Sequence, residues 1–192
     1  MIVTVNISNR HLHLSQTDLE ILFGKYAKLT ELKKLMQPGQ FSCNETVTIV
    51  GPKNKIENVR IIGPVRKQTQ IEISRTDSFY LGIKPEPPVR ESGDLKGSSP
   101  ITVIGPQGKI DLKEGCIIAL RHIHFDLKSA EKYNIKDKQI VSVRAGKGTN
   151  RELIFNNVIC RVREDMAFEC HIDTDEANAG LIKNGDKVEI II

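Results

Sequence analysis

The chain contains five histidines, His11, His13, His122, His124 and His171, and four of them fall into two His-x-His pairs, Arg10-His11-Leu12-His13-Leu14 and Arg121-His122-Ile123-His124-Phe125. In an extended strand, residues two apart project from the same face, so each pair can offer two imidazoles to one metal ion while Leu12 and Ile123 turn toward a core. A third ligand is available to each pair. Glu72-Ile73-Ser74 followed by Thr76-Asp77 matches His171-Ile172-Asp173 followed by Thr174-Asp175, which gives a His₂Glu set (His11, His13, Glu72) and a His₃ set (His122, His124, His171). Three protein ligands with a position left open is the arrangement of catalytic rather than structural zinc.

The other reactive side chains form no such pattern. Cys43, Cys116, Cys160 and Cys170 contain no Cys-x-x-Cys and lie in unrelated local contexts. Cys170 adjoins His171 and so faces the opposite side of its strand. A chain of this size needs no disulfide staples, and we read the four as reduced and without a nucleophilic role. Nucleophile-elbow serine, P-loop and Rossmann glycine motifs are absent.

The elements that position these residues repeat. Each His-x-His segment is followed by a short helix signal and then by turn-separated strands, the sign of an internal duplication. Ile2 to Ile7 alternates as a strand. Ser15 with Asp18 resembles a capping box for a helix through Phe23, and a second short helix is predicted over Glu31 to Met36, ending at Pro38-Gly39. Strands follow at Thr46 to Val50, Val59 to Ile62 and Thr69 to Ser74, divided by Gly51-Pro52 and Gly63-Pro64 turns, a pattern of small barrels or sandwiches. Lys84 to Pro100, rich in Pro, Ser and Gly, reads as a long surface loop before strands resume at Ile101 to Ile104.

Composition narrows the function further. The 192 residues are 39% hydrophobic and 27% charged, enough for packed cores, and the longest apolar run, Val188 to Ile192, is far too short to cross a bilayer. The formal net charge of +4 is scattered without a basic run, which suits an anionic small ligand better than nucleic acid. The N-terminus has no signal-peptide pattern, so we expect a cytoplasmic protein with no membrane partner.

A family resemblance rests on four stretches together: Gly63-Pro64-Val65-Arg66-Lys67-Gln68-Thr69-Gln70-Ile71-Glu72-Ile73-Ser74, the paired Arg-His-x-His motifs, Pro88-Val89-Arg90-Glu91-Ser92-Gly93, and Cys170-His171-Ile172-Asp173-Thr174-Asp175-Glu176-Ala177-Asn178. Over essentially its whole length the chain resembles the PduL-type phosphotransacylases, the phosphate propanoyltransferases. The resemblance implies a mainly β protein of two small barrels with a few short helices. One domain would span residues 10–119, with inserted helices and the Pro/Gly/Ser-rich loop; the other would combine 120–192 with the N-terminal strand, 1–9. It implies two zinc ions per chain at a site between the barrels, one held by His11, His13 and Glu72 and the other by His122, His124 and His171. Arg66 would bind phosphate, and Ser8, Lys33, Arg60 and Asn178 match coenzyme A contacts. Members housed in microcompartments carry an amphipathic extension ahead of the first strand, whereas this chain begins at the strand, so a freely cytosolic enzyme is expected and no shell partner.

The implied reaction converts a short acyl-CoA plus phosphate into acyl phosphate plus coenzyme A. Zinc is a borderline-soft Lewis acid suited to a thioester, and no protein nucleophile is required. Propanoyl and acetyl groups both fit, because one methylene in a pocket is worth only about 1–3 kcal/mol. Two histidines and a carboxylate also suit a metal-dependent hydrolase or oxygenase, and the histidines alone would serve a non-catalytic zinc-dependent assembly module. A homo-oligomer is compatible with each of these readings.

Overall fold

The apolar residue at the centre of each histidine pair anchors the architecture: Leu12 and Ile123 are both fully buried between their flanking histidines. The computed structural model describes residues 1–192, and the chain divides into two compact units, Arg10–Ala119 and Met1–Asn9 with Leu120–Ile192. The protein is mainly β, with four short helices.

The strand β1 (Ile2–Ser8) precedes the unit of residues 10–119 in sequence but pairs outside it. Within that unit the order is β2 (His11–His13), α1 (Gln16–Phe23), β3 (Glu31–Lys34), β4 (Phe41–Val50), β5 (Lys55–Gly63), β6 (Gln70–Glu72), α2 (Arg75–Leu81), β7 (Val89–Arg90), β8 (Ser99–Ile104) and β9 (Lys109–Ala119). Six of these strands close a ring in the order β4-β5-β2-β6-β9-β8 and back to β4. The short strands β3 and β7 are added at β4 and β9. Leu12, Ile49, Ile61, Ile71 and Val103 fill the core beside Leu19 and Leu22 of α1.

The remaining unit contains β10 (His122–Phe125), α3 (Leu127–Tyr133), β11 (Ile140–Ala145), β12 (Leu153–Val162), β13 (Glu169–Asp173), α4 (Thr174–Ala179) and β14 (Lys187–Ile191). Its barrel closes as β1-β13-β10-β12-β11-β14 and back to β1, around Val3, Val5, Ile123, Cys160, Cys170 and Val188. The two barrels repeat one pairing plan, down to the parallel pairs β2/β5 and β10/β12. In each, the strand that immediately precedes a histidine strand in sequence closes the other barrel: β1 runs into β2 yet pairs with β13 and β14, and β9 runs toward β10 yet pairs with β6 and β8.

Three local expectations are corrected. Glu31 to Met36 is not helical. Glu31–Lys34 is an exposed strand on the edge of β4, followed by a turn in which Leu35 N–H donates to the Gln40 carbonyl. Leu32, Leu35 and Met36 have helical spacing, but the hydroxyl of Thr30, the available cap, accepts from Asn44 Nδ2 at 3.1 Å and donates to Glu45 at 2.7 Å, and β4 supplies the backbone partners instead. At α1, Ser15 Oγ does accept from the Asp18 N–H at 3.1 Å, but the reciprocal arm of the capping box is taken by Thr69, whose hydroxyl oxygen accepts from the Ser15 N–H at 2.9 Å. Complete capping boxes occur at Ser74/Asp77 and Asp173/Glu176. Finally, residues 84–100 are only partly a surface loop, because they include β7 and bury Leu95, Ser98 and Ser99.

Candidate active site

In residues 10–119, β6 runs antiparallel to β2 in a register that sets Glu72 opposite His11 and Gln70 opposite His13. All four side chains belong to alternate positions, on the face away from Leu12 and Ile71. One ligand atom from each of His11, His13 and Glu72 lies within 4.8 Å of the other two. His13 Nδ1–H donates to the Ile62 carbonyl at 2.9 Å, which fixes the tautomer and leaves the Nε2 lone pair as a ligand. Burial, with His11 and Arg66 beside it, pushes the His13 pKa down to about 3, so the ring is neutral. Burial by itself would raise the Glu72 pKa, but His11, His13, the Ser92 hydroxyl and Arg66 outweigh it and hold the carboxyl well below its ordinary range. A buried carboxylate converging with imidazoles is a donor set suited to zinc.

The two Glu72 oxygens are occupied differently. Oε2 faces His11 Nε2 at 3.6 Å. Oε1 accepts from Ser92 Oγ at 2.9 Å and from Gln70 Nε2 at 2.5 Å. Arg66 follows the turn after β5. Its N–H donates to the Leu14 carbonyl at 2.8 Å, which ties it to the end of the histidine strand, and its Nη1 donates to Ser92 Oγ at 3.0 Å. Gly63 opens this turn because a Cβ there would stand 2.4 Å from the Phe41 ring.

In the other unit, β13 is antiparallel to β10 with His171 opposite His122 and Glu169 opposite His124, the same register as the first set. The three imidazoles cluster, with ring centroids 4.6 Å apart for His122 and His124, 4.7 Å for His124 and His171, and 5.0 Å for His122 and His171. Both nitrogens of His124 are buried without a hydrogen-bond partner. That is a costly state for an imidazole and the one a bound metal relieves. Burial, with His122 and His171 next, pushes the His124 pKa far below its usual value, so this ring too is neutral. His122 Nδ1–H donates to the Leu120 carbonyl at 2.8 Å. His171 Nε2 lies 2.8 Å from the buried carboxylate of Glu169, so this set is fitted with a carboxylate–histidine pair rather than a carboxylate ligand.

The positions matched to coenzyme A contacts are dispersed over the elements. Arg60 stands opposite His11 on β5, and its Nη1 donates to the carbonyls of Cys43 at 2.9 Å and Asn44 at 3.1 Å. Lys33 is exposed on β3, with β4 and β5 between that strand and β2. Ser8 ends β1, opposite Asp173 of β13, and Asn178 is exposed on α4. All four cysteines have no solvent exposure, and burial pushes their thiols up to about 11 (Cys43, Cys160) and about 12 (Cys116, Cys170). None is a thiolate at neutral pH.

Three polar residues at these sets were not singled out from sequence. Gln70 and Glu169 each sit two residues before the third member of a set, Glu72 or His171, so the same period of two would have placed them. Ser92 carries no periodic signal; it reaches Glu72 only through the path of residues 84–100.

The model of one family, phosphate propanoyltransferase, matches residues 4–183. Among curated proteins, the chain is 58% identical over 189 residues to a phosphate propanoyltransferase of Thermotoga maritima, spanning 98% of this chain and 89% of that one. It is 54% identical over 190 residues to one of Lachnoclostridium phytofermentans (98% and 87%) and 52% identical over 184 residues to one of Priestia megaterium (96% and 83%).

Proposed function

From the chain's membership of the phosphate propanoyltransferase family, which makes it an acyltransferase, we propose that it interconverts propanoyl-CoA or acetyl-CoA plus phosphate with the acyl phosphate plus coenzyme A, using two zinc ions. One is assigned to His11, His13 and Glu72, and the other to His122, His124 and His171. The observation that carries this reading is the buried, charged Glu72, converging with neutral His13 and with His11 while joined to Arg66 through one hydroxyl. Zinc bound by such ligands supplies Lewis acidity toward a thioester and its departing sulfur.

The side chains then have definable tasks. Arg66 presents a planar guanidinium to phosphate, neutralises part of its charge and aims one oxygen at the acyl carbon. A carbon–oxygen bond forms as the carbon–sulfur bond breaks, and the electron pair leaves on sulfur as coenzyme A thiolate. Transfer is direct, since no cysteine is placed or ionised to take the acyl group. Ser8, Lys33, Arg60 and Asn178 are assigned to coenzyme A binding. No helix is long and apolar enough to cross a membrane, and we assign the enzyme to the cytoplasm. The hydrolase, oxygenase and assembly-module readings are set aside, because the family is one of acyltransferases.

Thioester absorbance followed with and without phosphate tests this function. Propanoyl-CoA or acetyl-CoA should be consumed only when phosphate is present, and elemental analysis of the gently purified protein should give close to two zinc ions per chain. Phosphate-independent consumption, or protein without stoichiometric metal, would overturn it.

A further inference from the structure

We propose that Ser92 is a positioning residue that orients Glu72 as a metal ligand and Arg66 as a phosphate ligand through one hydroxyl group. The proposal rests on the function assigned above to those two residues. A serine hydroxyl has one proton to donate and two lone pairs to accept with. At Ser92 all three are used: Oγ donates to Glu72 Oε1 at 2.9 Å and accepts from Gln70 Nε2 at 2.8 Å and Arg66 Nη1 at 3.0 Å. The direction of each bond is fixed by its partner, since a guanidinium and an amide NH₂ can only donate and an ionised carboxylate can only accept.

This arrangement has two consequences. With Oε1 held by Ser92 and Gln70, Glu72 presents Oε2 toward His11, so the carboxylate is pre-set to give one oxygen to an ion. Meanwhile the guanidinium of Arg66, whose backbone is pinned to Leu14, has one nitrogen directed to the same hydroxyl. The loop that carries Ser92 is itself anchored. Gly93 N–H donates to Gln70 Oε1 at 2.7 Å, and β7 just before it pairs with β9. Gln70 therefore grips Glu72, Ser92 and Gly93 together, and the hydroxyl is held in place rather than swinging on a free loop. The segment Pro88 to Gly93 resembles the family without having a function of its own in the sequence, and this is the task the geometry points to.

Ser92→Ala removes one oxygen and should leave both barrels folded. We expect the phosphate KM to rise about fivefold or more, with the KM for propanoyl-CoA changed less than twofold. One of the two zinc ions should be lost at a chelator concentration about 10- to 100-fold lower than in the parent protein, read by elemental analysis after dialysis. Ser92→Thr keeps the hydroxyl and should restore most of both properties. Unchanged phosphate KM and unchanged metal retention in a folded Ser92→Ala protein would overturn the proposal while leaving the assigned function standing, and so would equal changes in both KM values. A parent protein that holds no zinc, or that needs no phosphate, would overturn the assigned function, and this proposal with it.

Discussion

Arg66 directs its charge at the first set: it helps lower the pKa of His13 and of Glu72 and touches the hydroxyl that holds Glu72. If its guanidinium binds phosphate by paired charge-assisted hydrogen bonds, Arg66→Ala should cost roughly 2–5 kcal/mol of transition-state stabilisation. Arg66→Lys keeps the charge and loses the fork, so it should recover only part of that loss. Phosphate titrations at saturating acyl-CoA give the measurement, and unchanged phosphate dependence with unchanged turnover in Arg66→Ala would remove this residue from the reaction. At this scale the sequence was legible where a period of two joined two histidines. It paired His11 with His13 and His122 with His124, and the repeat brought in Glu72 and His171, which the strand register indeed sets opposite His11 and His122. The residues that support these ligands were less visible, for two physical reasons. Gln70 and Glu169 look like ordinary strand polars until their partners are known, and Ser92 joins Glu72 across a loop path that no local pattern encodes.

Each unit also ties its histidine strand to the helix that follows the third ligand. Arg10 binds Asp77, the third residue of α2, at 2.8 Å, and Arg121 binds Glu176, the third residue of α4, at 2.9 Å. In both helices that acidic residue is also the reciprocal arm of the capping box, so one carboxylate closes the helix start and fastens it to the residue preceding a histidine pair. Burial pushes the Glu176 pKa up to about 7, aided by Asp173 and Asp175 and opposed by Arg121 and by the Asp173 backbone N–H. A carboxyl whose pKa is raised in the folded protein contributes stability that is present below its unfolded pKa, near 4.5, and is lost as pH rises through about 7. Glu176→Gln retains an oxygen for the cap and removes the titration. The stability of the parent relative to Glu176→Gln should therefore fall between pH 5 and 8, by on the order of 2 kcal/mol in urea denaturation. A difference that stays flat or rises over that range would show that Arg121 fully offsets the burial. The error at Glu31 to Met36 belongs to this scale too. Helical spacing of three apolar residues has no force when the oxygen of their cap already accepts from Asn44 and all four strand residues lie exposed, whereas Ser15 marked the start of α1 correctly because its oxygen accepts from the Asp18 N–H.

At the scale of the whole chain, the strand that leads into the first histidine strand is held by partners far from it in sequence. Only four residues separate Val5 from Arg10, yet Val5 pairs with Cys170 of β13, its N–H donates to the Asp186 carbonyl at 2.9 Å, and its side chain, 2% exposed, belongs to the core that includes Ile123 and Val188. A duplication was readable from the sequence, but nothing local to Ile2–Ser8 says which barrel receives that strand; its alternation would serve either, and only the family resemblance assigned it. The pairing makes a prediction that sequence proximity would reverse. Val5→Ala should cost about 2 kcal/mol through lost burial and the cavity left behind. The amides that lose hydrogen-exchange protection should first be those of β10, β12, β13 and β14, more than a hundred residues away in the chain, while those of β2, β5 and β6 are affected less. Ile61→Ala, at a fully buried position of β5, should produce the converse pattern. Both patterns require the strand exchange in which β1 pairs with β13 and β14, because it then transmits destabilisation to those strands rather than to β2, which it adjoins. Loss of protection concentrated in β2 and β5 on Val5→Ala would contradict that strand exchange.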